Sequence, residues 1–301
     1  MKILVFAEKT STLIELSNGA RQLGDCVEAV VIGEVDPSFA DKVWSIPAQA
    51  DAMLEDYTET IASLVEKEKP NFLLVEPTKR CKLIVGRLAA MLGASVITDV
   101  SELTKDGEAK RMVYGGSAVR KEKAATATAI VTVGAGVFEE SEAVKGTGEV
   151  ETVDFVEPAF KFKVIGKEQK PKASVDLTKA KRIVGVGRGI AKEEDLKMIQ
   201  DFAAAIGAEV GCTRPIADAE KWMPHETYIG VTGLMLSPDV YIAFGVSGQT
   251  QHVVGINQSK TVIAINKDKN APIFKYADYG LVGDLYKVAP ALSEHFKKVL
   301  V

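Results

Sequence analysis

IVGVGRG at Ile183–Gly189, YIAFGVSGQTQH at Tyr241–His252 and TVIAINKD at Thr261–Asp268 decide the fold. Each is a short apolar run that stops at Gly, Ser, Asn or Asp, and DYGLVGD follows at Asp278–Asp284. Such runs, bounded by turn formers, read as buried parallel strands. In an open α/β sheet, ligands sit beyond the carboxyl ends of the strands. Several strand ends in one region of the chain predict a single pocket shaped for a nucleotide-containing ligand.

Around these runs the spacing predicts a second α/β unit beginning near Lys179. Glu193–Ile206 has helical spacing and Gly207 stands where a helix C-cap falls. Ala208–Gly211 starts another strand, and Leu292–Val299 reads as a closing helix. Upstream, Gly166–Ser174 holds Lys167, Lys170, Pro171 and Lys172 and little that packs, so it reads as a linker. This gives an N-terminal α/β domain over 1–174 and a C-terminal domain over 175–301 with a doubly wound parallel sheet.

The N-terminal part alternates strand and helix: Lys2–Ala7, Leu13–Leu23, Val27–Ile32, Tyr57–Glu68, Phe72–Val75 and Leu83–Leu92. Alternation of this kind predicts a Rossmann-like, mostly parallel sheet covered on both faces. Met112–Val119 and Ala127–Val137 read as strands extending that sheet, and Phe155–Val164 as an edge strand.

Composition restricts the function. The 301 residues are 47% hydrophobic and 26% charged, with a net charge of −4. There is no basic stripe with interleaved aromatics, so nucleic acid is not an expected partner. The apolar run Ile3–Ala7 is too short for a signal sequence and Glu8 and Lys9 interrupt it. No stretch approaches the roughly 20 apolar residues of a membrane span. Cys26, Cys81 and Cys212 are odd in number and far apart, which suits a reducing cytoplasm and offers no metal spacing.

Several side chains are candidates for ligand contact. Arg188 in Gly185–Gly189 follows a strand, in a context for phosphate capture by backbone N–H groups. It reads either as a ligand contact or as a tie between domains. Arg214, between Thr213 and Pro215, reads as a holder of negative charge or as a surface turn residue. Thr232 sits in Gly230-Val-Thr-Gly233, where a hydroxyl meets a close-lying ring or simply completes a turn. Ser247, Gly248, Gln251 and His252 belong to a donor-rich turn suited to phosphate or ring oxygens. His252 is expected to donate a hydrogen bond to, or place positive charge beside, an electron-accepting ring. Asn266, Asp268 and Asp284 read an adenine edge or ribose hydroxyls, or else cap helices. The sequence has no G-x-S-x-G, no G-x-x-x-x-G-K-[ST] and no H-E-x-x-H, and nothing pairs a nucleophile with a base. The pocket is therefore expected to hold a cofactor rather than attack a substrate.

VGVGRGI, GCTRPIAD, SGQTQH and AINKDKNAPIFKYADYGLVGD occur in that order between Val184 and Leu285. Together they resemble the α subunit of electron transfer flavoproteins, the FixB-like group. KILVFAE, TKRCKLIVGRLAAMLG and MVYGG extend the resemblance more loosely into the N-terminal domain. The resemblance implies a C-terminal domain that binds FAD and a β subunit that completes the flavin site. It further implies a carrier without substrate turnover of its own, taking electrons from an acyl-CoA dehydrogenase-type donor.

By motif position, Arg188 would lie near the cofactor and Arg214, beside Thr213, over the isoalloxazine ring. Thr232 would reach the N5 edge, and Ser247, Gly248, Gln251 and His252 the pyrophosphate and the O2 side. Asn266, Asp284 and Leu285 would fall at the adenosine end. The family often has Gln where Val231 stands, which removes one side-chain contact. KWMPHETYIG and NKDKNAPIF lean toward the branch near carnitine and crotonobetaine metabolism. A flavin- or nicotinamide-dependent dehydrogenase subunit with its own substrate, and a nucleotide-binding regulator, remain the rival readings.

Overall fold

A computed structural model describes residues 1–134, 137–138, 145–166 and 176–299. The chain divides into two compact units, Met1–Val113 with Ala118–Glu168, and Tyr114–Ser117 with Gln169–Val301. The expected linker, beyond Gly166, and the expected boundary at 174 lie outside the described residues.

The first unit contains β1 (Lys2–Phe6), α1 (Thr10–Leu23), β2 (Cys26–Ile32), β3 (Lys42–Ile46), α2 (Thr58–Glu68), β4 (Phe72–Val75) and α3 (Lys79–Leu92). It continues with β5 (Ser95–Leu103), β6 (Glu108–Val113), β7 (Ala118–Lys123), β8 (Ala129–Val133) and β9 (Glu149–Thr152). These strands form one sheet in the order β7-β6-β5-β8-β4-β1-β2-β3-β9. Alternation along β1 sends Ile3 and Val5 to one face, with Leu13, Leu16 and Ala20 of α1. Leu4 and Phe6 go to the other, with Ile61 and Leu64 of α2 and Ile84 and Leu88 of α3. Burial on both faces is why these central strands read as continuous apolar runs.

Two expectations are corrected here. Met112–Val119 is not one strand but the end of β6, a turn and the start of β7, paired antiparallel. Tyr114, Gly115 and Gly116 all adopt left-handed backbone (φ 54°, 64° and 91°), which reverses the chain. Phe155–Val164 forms no strand, and β9 is the edge instead. Side chains claim the amides of that segment, Thr60 Oγ1 accepting from Val156 N at 3.0 Å and Asp56 Oδ1 from Phe162 N at 2.9 Å. Pro158 removes a further donor.

The second unit contains β10 (Arg182–Val186), α4 (Leu196–Ala205), β11 (Glu209–Cys212), β12 (Val240–Phe244), α5 (Thr250–Val253), β13 (Thr261–Asn266), β14 (Tyr279–Val282) and α6 (Leu285–Val299). Its sheet is parallel throughout, in the order β11-β10-β12-β13-β14. Val184, Val186, Phe244 and Ile265 face α4 and α6 through Ile199, Phe202 and Ala289. Ile183, Tyr241, Ala243 and Ala264 face the opposite way, against Ile229, Val253 and Ile273. In strand numbering local to this unit the order is 2-1-3-4-5, so the winding reverses between β10 and β12. That reversal opens a crevice beyond the strand ends.

Candidate functional site

A cavity of about 680 Å³ occupies this crevice, lined by the segments that follow β10, β11, β12 and β13. Its size is that of an ordinary cofactor site.

Backbone-to-backbone contact joins the loops after β10 and β12. Gly187 N donates to Phe244 O at 2.9 Å, and Gly189 N donates to Gly245 O at 3.0 Å. A Cβ on Gly187 would lie 2.3 Å from Gly245 O, and one on Gly189 would lie 2.5 Å from Gly245 Cα. Gly245 itself sits at φ 60°, so the clasp needs glycine on both sides. This corrects the expectation of phosphate capture for the Gly187 and Gly189 amides. Those two are spent on the neighbouring loop, Ile190 N is spent on Gly187 O, and α4 begins only at Leu196, while the Arg188 amide has no partner among the described residues. Further unclaimed amides lie on the other loop. Those of Ser247, Gly248 and Gln249 have no partner among the described residues. Consecutive free N–H groups of this kind form an anion-binding concavity.

Arg188, Thr213, Arg214, Thr232, Ser247, Gln251, His252 and Asn266 all line the cavity; Gly248, Asp284 and Leu285 do not. The exposed Arg188 guanidinium makes no hydrogen bond or ion pair with any described residue. Thr213 extends the ladder through its N–H to Val186 O at 2.9 Å. Pro215 then opens a wide turn, Pro215–Ala219, that carries Arg214 at its head. Arg214 Nε donates to Asp218 Oδ2 at 2.9 Å, and His225 Nδ1 donates to Asp218 Oδ1 at 2.7 Å. The Arg214 and His225 hydrogen bonds hold the Asp218 carboxyl below the usual carboxylate range, and Asp218 in turn raises the Arg214 pKa. Thr232 Oγ1 meets the Tyr228 hydroxyl at 2.9 Å.

His252 departs from expectation. It is only 7% exposed, and burial pushes its pKa down to about 4, so it is neutral at neutral pH. Its Nδ1–H donates to Ile229 O at 3.1 Å, so Nε2 accepts from the Tyr241 hydroxyl at 2.8 Å. Both nitrogens are engaged within the protein, and the expected positive charge beside a ring is not supplied here. Gly185 makes room for this pair, since a Cβ there would lie 1.8 Å from the Tyr241 hydroxyl oxygen.

Three further residues are placed by packing. Asn266 braces the loops, with Nδ2 donating to Val246 O at 2.8 Å and Oδ1 accepting from Asp268 N at 3.0 Å. Asp284 caps α6, its Oδ1 accepting from Tyr286 N at 3.0 Å. The Leu285 side chain belongs to the core under Gly189 and Gly245. Gly248 (φ 82°) is pressed against the Ile273 backbone, where a Cβ would stand 2.2 Å from Ile273 N. The sequence reading missed Tyr228, Gln249 and Pro272 on the cavity wall. The signal for Tyr228 was an aromatic two residues before Gly230.

No described group of three or more His, Cys, Asp or Glu is placed to hold a metal ion. No helix among the described residues is long and apolar enough to cross a membrane. Cys81 and Cys212 are buried free thiols, and burial pushes Cys212 up to about 11.

The electron transfer flavoprotein domain model matches residues 5–158, and the electron transfer flavoprotein FAD-binding domain model matches residues 176–257. The chain belongs to the electron transfer flavoprotein α family. Protein FixB of Escherichia coli O157:H7 is 42% identical over 303 residues, covering 97% of each chain. Protein FixB of Shigella flexneri gives the same figures. The α-family flavin domain thus coincides with the unit that carries the cavity, and the chain is an electron transfer flavoprotein subunit.

Proposed function

We propose that this chain is the FAD-holding α subunit of a heterodimeric electron carrier, with a β subunit completing the flavin site. In this reading it has no substrate turnover of its own. It takes electrons in the cytoplasm from an acyl-CoA dehydrogenase-type donor and passes them to a downstream acceptor. The wording KWMPHETYIG and NKDKNAPIF supports placing it in the crotonobetaine and carnitine branch.

One observation carries the reading. A cavity at the reversal of strand order is lined by Ser247 and Gln249, whose amides are unclaimed among the described residues, and by two arginines whose terminal nitrogens have no partner among them. FAD brings a pyrophosphate, which such amides and Arg188 suit, and a ring that gathers negative charge on reduction. Bound there, it supplies the electron-accepting chemistry. The chain's own part is to hold it and set the field around it. With His252 neutral, the positive field at the ring falls to Arg214, and one charge-assisted hydrogen bond contributes roughly 1.5–3 kcal/mol.

Both rivals meet obstacles. A dehydrogenase needs an acid–base group facing the ring, and both nitrogens of His252 are engaged. A regulator using the first unit would bind at the reversal between β1 and β4. There Glu76, 5% exposed, already accepts from Glu8 N at 2.9 Å, Lys9 N at 3.3 Å and Thr12 Oγ1 at 3.2 Å. The chain's own carboxylate occupies the amides a phosphate would use.

The test is co-expression with a β-type subunit, followed by an absorbance spectrum and identification of the released nucleotide. A yellow heterodimer releasing FAD is expected. A colourless protein carrying AMP or ATP, or steady substrate turnover by the isolated chain, would overturn the proposal.

A further inference from the structure

Arg214 is held in an asymmetric way. Asp218 takes only its Nε, at 2.9 Å, and leaves both terminal nitrogens without a partner among the described residues. The side chain is 65% exposed, so little packing restrains it. A long exposed arginine on one hydrogen bond samples many rotamers unless its acceptor is itself fixed. His225 is what fixes it. Its Nδ1–H holds the other Asp218 oxygen at 2.7 Å, which restrains the carboxylate from turning away from Arg214. The His225 ring also leans on Tyr228, with centroids 5.8 Å apart, and Tyr228 in turn meets Thr232 at 2.9 Å. One imidazole therefore touches both arms of the cavity mouth, the Arg214 arm and the Thr232 arm. Only Arg214, Tyr228 and Thr232 line the cavity; Asp218 and His225 stand behind them.

We infer that His225 is a positioning residue. Through Asp218 it aims the free terminal nitrogens of Arg214 into the cavity, and through Tyr228 it steadies Thr232. This rests on the reading of the cavity as the flavin site, with Arg214 supplying its positive field. An ordinary surface ion pair would use the guanidinium end-on and would not need a second donor on the far carboxylate oxygen.

The test uses three proteins: the wild type, His225→Ala, and His225→Asn, whose amide nitrogen replaces Nδ1. In the ¹⁵N-labelled full chain without flavin, the Arg214 Nε–H signal is followed for position and solvent exchange. His225→Ala is expected to speed that exchange about tenfold, and His225→Asn to restore it. In the flavin-loaded heterodimer, His225→Ala is expected to lower the reduced-to-oxidised ratio at fixed potential about tenfold, about 59 mV for one electron. His225→Asn should recover most of that shift. Unchanged Arg214 exchange in His225→Ala overturns the inference whether or not flavin binds. So does an unchanged potential with flavin retained. A wild-type heterodimer that binds no flavin sinks the flavin-site reading instead, and the exchange measurement then still decides what His225 does to Arg214.

Discussion

Acid should weaken the second unit through His252. The unfolded chain takes up this proton near pH 6.5, whereas burial delays it to about pH 4 in the folded chain. Between those values the unfolded state holds more protons, so each step down in pH favours unfolding. Stability from this group is complete above pH 6.5 and falls as pH drops toward 4. For these two pKa values the loss is about 2 kcal/mol at pH 5 and about 3 kcal/mol at pH 4. The side chain is only 7% exposed, so solvent screening removes little of this. Hydrogen exchange of the β12 amides, corrected for intrinsic rates, reads the stability of the second unit by itself. His252→Gln keeps a hydrogen-bonding group but does not titrate, and it serves as the reference. The stability gap between wild type and variant should shrink by about 2 kcal/mol from pH 7 to pH 5. A gap that stays constant across that range would refute the buried, neutral imidazole bonded to Tyr241 and Ile229.

Three other outcomes are expected. Gly185→Ala forces a Cβ within 1.8 Å of the Tyr241 hydroxyl oxygen, so calorimetry should show destabilisation of the second unit by about 1–3 kcal/mol. Glu76→Ala strands the Glu8 and Lys9 amides and should cost the first unit about 1–3 kcal/mol in urea unfolding. Arg188→Gln removes a cation with no partner among the described residues, so it should leave the melting temperature unchanged. It should weaken FAD retention about tenfold or more by fluorescence titration.

The strand ends and the crevice above them were legible in the sequence because a short apolar run closed by glycine fits a buried strand meeting a turn and little else. Nine of the predicted contact residues, Asp268 among them, reach the cavity wall, and all but Thr232 follow on those runs for the same reason. What could not be read was the traffic of hydrogen bonds between segments distant in sequence. Gly187 and Gly189 looked like phosphate binders because close backbone approach is required there, but the approaching partner is Gly245, 56 residues after Gly189. His252 looked like a charge donor because its burial, and the Tyr241 hydroxyl on Nε2, depend on strand pairing. Met112–Val119 reads as one strand because its apolar pattern continues through three left-handed residues that only the folded turn reveals.

The glycine clasp has a mechanical consequence. Its two hydrogen bonds carry the parallel ladder of β10 and β12 one step past the strands, so Arg188 and the Ser247–Gln249 amides ride on a single stiff plate. That plate cannot part to admit a bulky guest. The facing turn, Val231, Thr232 and Gly233, is exposed, and Val231 N ties it to Gln251 O at 2.9 Å. Both walls of the cavity are thus pinned to the segment that follows β12, one through Gly245 and the other through Gln251.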